Sequence, residues 1–193
     1  MNQISGRDSF RQAVFGEETR RQFDACYPEQ ARVLDHAMAS HDLLTLEALA
    51  RLGTALPKAS VEYNPGDLPV GIKPEDVPEN GMTIGDTIRM IDQSASWAVL
   101  KNIEQMPEYE ELLLSLLGEI RPILEAKTGK MLKPQGFIFV SSPDAVTPYH
   151  FDPEHNILLQ LRGEKWMTTF PAGNARFAAD EIHEGYHVGG HRN

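Results

Sequence analysis

Apolar residues recur at helical spacing through the first half of the chain and in short runs between turn residues through the second. Pro28 suits a first helical position. EQARVLDHAM behind it sets Ala31, Leu34 and Met38 on one side, which predicts a helix. Thr45 precedes LEALARLGTAL, whose Leu46, Leu49, Leu52 and Leu56 make an apolar stripe, so a second helix capped by Thr45 follows. His36 and His41 fall near that junction. With no carboxylate or Cys at ligand spacing beside them, they read as packing or capping residues. Ser60–Tyr63 reads as a short strand ended by the Asn64-Pro65-Gly66-Asp67 turn, and a Pro-rich connector over residues 65–79 leads to a short helix near Ile84–Ile91.

Ser96–Lys101 then predicts a strand with Trp97, Val99 and Lys101 on one face. Pro107 opens the longest helix, which runs to about Lys127 with Gly129 as its stop and Pro122 as a kink or break. Gly136–Val140 reads as a buried strand and Tyr149–Phe151 as another. Asn156–Leu161 and Lys165–Phe170 read as a hairpin about Gly163, which can supply positive φ. Trp97 and Trp166 are expected in the core. Strands at this spacing point to a small barrel or sandwich.

Composition narrows the class. With 193 residues and 41% apolar content the chain can bury one core, organised as a helical segment over 1–58 and a strand-rich domain over 59–193. A net charge of −10 without any Lys/Arg block argues against direct binding to nucleic acid. A single cysteine, Cys26, excludes an internal disulfide and fits a reducing compartment. The start lacks an apolar leader core, and the apolar runs are too short to span a membrane, so the expectation is a cytoplasmic protein.

The chemistry concentrates in TPYHFDPEHNILLQLRGEK, residues 147–165. His150 and Asp152 are two apart, so an extended backbone turns an imidazole and a carboxylate to one side. That is two-thirds of the 2-His-1-carboxylate set that holds non-heme Fe(II) with positions left open. Thr147, Asn156 and Lys165 complete the order T-x-x-H-x-D-x-x-x-N-x(8)-K. A lysine on a strand supplies a fixed cation for a dicarboxylate, and a hydroxyl beside it adds a directional hydrogen bond.

This stretch resembles the jumonji and cupin-type iron- and 2-oxoglutarate-dependent oxygenases, especially the branch that includes the factor-inhibiting asparaginyl hydroxylase. The resemblance implies an α+β fold: N-terminal helices packed on a double-stranded β-helix, incomplete at the C-terminus. It implies that His150 and Asp152 bind iron and carry catalysis, and that Thr147 and Lys165 grip the far carboxylate of 2-oxoglutarate. It also implies that Asn156 lies beside the cosubstrate's metal-binding end. The family's third iron ligand is a His on a late strand, and the residues after Phe170 offer no room for the strands that would carry it, so a fragment is expected. The substrate, a protein side chain or a small molecule, is not legible, and the sequence leaves a homo-oligomer open.

Two rival readings remain. A cupin-like module without catalysis would bind or regulate. HEGYH at 183–187 also matches H-E-x-x-H, in which His183 and His187 would hold zinc beside the base Glu184, with His191 extending the pattern. Gly185, Gly189 and Gly190 each cost about 1 kcal/mol in a helix, so a polar surface loop is expected there instead.

Overall fold

In the computed structural model, which describes residues 13–65, 81–147, 149–152, 154–171 and 173–189, the first helix lies before Pro28 rather than after it. Helix α1 spans Glu17–Cys26, with Glu17 and Glu18 in the first turn where the helix dipole favours anions. It stops at Tyr27, whose extended backbone is the conformation favoured ahead of a proline. The helix expected over 28–38 is not formed. Backbone and side-chain bonds draw that segment elsewhere: Ala37 N–H donates to Val14 O, and the Thr19 hydroxyl donates to Asp35 O. Met38 is buried while Val33 faces solvent, so the apolar spacing there serves packing of an irregular chain.

Helix α2, Leu46–Ala55, forms as read, with Thr45 Oγ1 accepting from Ala48 N–H at 3.2 Å and Leu49, Leu52 and Leu56 buried. Helix α3, Ile84–Arg89, is capped in the same way by Thr83, which accepts from Asp86 N–H. The two helices meet at Gly53. A Cβ there would stand 2.8 Å from Ile84 Cγ1 and 3.3 Å from Leu100 Cδ2, so only glycine lets them approach so closely.

Three antiparallel strands carry this layer in the order β1-β2-β3: β1 Val61–Pro65, β2 Ser96–Leu100 and β3 Ile138–Ser141. Val99 stands opposite Glu62 and Phe139. Ala98, Leu100, Ile138 and Val140 are buried on the other face. Lys101 reaches Glu62 at 2.5 Å, which puts it on the Trp97 and Val99 side as expected. The strand read as buried at 136–140 is buried on one face only, with Phe137 and Phe139 exposed.

Helix α4, Pro107–Thr128, carries Tyr109, Leu112, Leu116, Ile120 and Leu124 as its buried stripe. It runs through Pro122 as one helix and ends at Gly129, whose φ of 80° suits a residue without Cβ. The residue four before Pro122, where the missing N–H would have bonded, is Gly118, whose backbone latitude eases the ring's clash. Glu119 on α4 accepts from Val14 and Phe15 N–H, both at 2.9 Å, and Lys127 pairs with Asp24 at 2.9 Å.

The chain divides into two compact units, one ending at Val146 and the other beginning at Thr147. In the second unit the strand expected at Tyr149–Phe151 and the hairpin of Asn156–Leu161 and Lys165–Phe170 are irregular chain, although Gly163 does take positive φ. No described residue of this unit is buried, and Trp166, expected in the core, is 96% exposed. A hairpin is marginal unless a third strand or a helix covers its face, and no described side chain of these two segments is buried.

The expected loop at 183–187 is instead helix α5, Asp180–His187. Only Gly185 falls inside it, and Gly189, at a φ of 97°, follows its end. The glycine cost is therefore about a third of what the sequence suggested. Among the described residues no helix is long and apolar enough to cross a membrane.

Candidate functional site

His150 and Asp152 converge without a strand to hold them. His150 Nε2 lies 3.8 Å from Asp152 Oδ2, with both side chains about a quarter to a third exposed (31% and 26%). The two side chains stand two residues apart in chain without regular structure, so the approach is local in sequence. Asn156 closes on the same carboxylate: its Nδ2 donates to Asp152 Oδ2 at 2.7 Å. Asp152 Oδ2 thus stands between an imidazole and an amide donor.

The donor set suits a divalent first-row ion. Imidazole nitrogen and carboxylate oxygen bind such an ion at about 2.0–2.2 Å each, so donors up to roughly 4 Å apart can reach one ion between them. The 3.8 Å pair is within that reach. Among the described residues no third His, Cys, Asp or Glu groups with it.

The flanking aromatics turn elsewhere, as alternation requires. Tyr149 packs edge-on against Phe170 with centroids 5.6 Å apart, and its hydroxyl donates to Phe177 O at 3.1 Å. Phe151 lies 4.4 Å from the His183 ring and 5.4 Å from Tyr186. Sequence reading missed this aromatic set, since Phe177 and Tyr186 stand far from the motif. His183 and His187 do share one face of α5 at i and i+4, but the His183 ring is spent on Phe151.

Thr147 and Lys165 are both exposed, and no described contact joins either to the His150–Asp152 pair. His155 is exposed as well. In the first unit, His41 caps the short turn of helix over Asp42–Leu44, its Nδ1 accepting from Leu43 N–H at 3.2 Å, and His36 Nδ1 accepts from Met38 N–H at 3.2 Å in irregular chain. Burial holds the His41 imidazole below its ordinary pKa against the opposing pull of Asp42. Tyr109, whose hydroxyl donates to Leu43 O, is pushed up to about 12, chiefly by burial and then by Glu108. Set against family models, curated proteins and solved structures, the chain finds no match in any of the three.

Proposed function

We propose that the chain is an iron(II)- and 2-oxoglutarate-dependent oxygenase domain of the jumonji and cupin type, built on a double-stranded β-helix and working in the cytoplasm. The observation that carries this is the convergence of His150 and Asp152 at 3.8 Å within the T-x-x-H-x-D-x-x-x-N-x(8)-K order. His150 and Asp152 would hold the iron. Thr147 and Lys165 would take the far carboxylate of 2-oxoglutarate, the ammonium as a point charge and the hydroxyl as a directional partner. Iron with 2-oxoglutarate supplies oxidative decarboxylation to succinate coupled to hydroxylation of a C–H bond. This chain's residues bind and orient. The substrate is a protein side chain or a small molecule, and direct nucleic-acid contact is not expected at a net charge of −10.

The second reading is a cupin-like binding or regulatory module, in which His150 and Asp152 carry no catalytic ion. Two side chains hold a divalent ion weakly, because affinity rises with the number of placed ligands and their supports. The 193-residue chain is therefore expected to release little succinate from 2-oxoglutarate with Fe(II) and ascorbate. Supplying a third His donor is expected to raise turnover, and His150→Ala to abolish it. Failure to release succinate even then would leave the binding module as the better reading.

A further inference from the structure

The resemblance sets Asn156 beside the metal-binding end of 2-oxoglutarate, and in the structure its side chain donates to the carboxylate of Asp152. The Nδ2···Oδ2 distance of 2.7 Å is that of a charge-assisted bond, and the accepting oxygen is the one 3.8 Å from His150 Nε2. A carboxylate oxygen has lone pairs for two partners, so accepting from Asn156 leaves it able to face an ion. The amide donor is thus one restraint on which way Oδ2 looks.

We infer that Asn156 is a positioning residue for Asp152, setting the carboxylate toward His150 before any cosubstrate arrives. This rests on the proposal that His150 and Asp152 hold a divalent ion. Outer partners of this kind typically change metal affinity by about 10–100-fold, because they orient the ligand ahead of binding. A contact to 2-oxoglutarate alone would behave differently. It would leave affinity for the bare ion untouched and weaken only the ternary complex.

The experiment titrates the full 193-residue chain with Mn(II), following loss of the free-ion electron paramagnetic resonance signal, with and without 2-oxoglutarate. Wild type, His150→Ala, Asn156→Ala and Asn156→Gln are compared, with circular dichroism as a folding control. The expected result is Mn(II) binding that needs His150, weakened about tenfold or more in Asn156→Ala without 2-oxoglutarate. Asn156→Gln, which keeps an amide donor, should recover part of it. The enhancement given by 2-oxoglutarate should be equal in wild type and Asn156→Ala. Binding that needs His150 but is unchanged by Asn156→Ala until 2-oxoglutarate is added would overturn the inference and leave the oxygenase reading standing. Binding indifferent to His150→Ala would overturn both.

Discussion

Ser142 directly follows β3 and ties three pieces of chain together, so its loss should cost far more than its size suggests. Its hydroxyl accepts from Ser96 N–H at 2.8 Å and donates to Ile91 O, while its own N–H donates to Ser96 O at 2.9 Å. Ser142 and Ser96 are both buried. Ser142→Ala keeps the backbone bond but strands one buried N–H and one buried carbonyl. Each unsatisfied group costs about 1–3 kcal/mol, giving roughly 2–6 kcal/mol in all. That is a large share of the roughly 5–15 kcal/mol that holds a typical domain together.

Ser94 supplies the contrast. Its hydroxyl is buried with no hydrogen-bond partner among the described residues. Ser94→Ala removes a polar atom that gains nothing from the fold, so it should be neutral or slightly stabilising. Urea unfolding followed by circular dichroism compares the two. Thermal melts should place Ser142→Ala about 5–20 °C below wild type, at roughly 2–4 °C per kcal/mol for a chain of this size. If the two alanine variants lose the same stability, satisfaction of buried hydroxyls does not hold this corner, and the reasoning fails.

Three further outcomes are expected. Gly53→Val should destabilise by about 1–3 kcal/mol, because the added atoms meet Ile84 Cγ1 already at the Cβ, and urea titration reads it. His41 has a folded pKa lowered below its unfolded value, so the unfolded chain takes up its proton first. The stability is present above about pH 6.5 and is lost as pH falls through the folded value. Protonation at Nδ1 would also set a donor against Leu43 N–H. His41→Asn, which keeps a capping acceptor, should therefore lose less stability than wild type between pH 7.5 and 5.5 in urea titrations; an equal loss would clear His41. Lys165→Ala should remove the enhancement of Mn(II) binding by 2-oxoglutarate and leave binding of Mn(II) alone unchanged. An enhancement that survives would take Lys165 out of the cosubstrate site.

Elements with local causes were legible in the sequence. Thr45 announces α2 because a cap is settled within one turn. Pro107 and Gly129 bracket α4 for the same reason. Tertiary causes were not. Helix α1 buries only Thr19 and Cys26, so it has almost no apolar stripe to read, and its hold on α4 comes through Lys127 and Asp24. The segment after Pro28 shows helical spacing, yet Ala37 is bonded to Val14 across the chain. Phe137 and Phe139 looked like core residues, and nothing in GFIFV says that one face of β3 stays open.

The candidate site divides along the same line. His150 and Asp152 stand two residues apart and Asn156 bonds Asp152 four residues on, so this part is local in sequence and survives the absence of the expected strand. Lys165 is different. Its distance from Thr147 depends on whether Asn156–Leu161 and Lys165–Phe170 pair as a hairpin, and pairing needs a covered face. Ile157, Leu158, Trp166 and Met167 are exposed along both segments, so the apolar area that would drive pairing is still in water. The proposed metal pair is therefore set locally, by the two-residue spacing and the Asn156 amide, whereas the proposed cosubstrate contact at Lys165 waits on burial. This is why loss of Asn156 should act on the bare ion and loss of Lys165 only on the ternary complex.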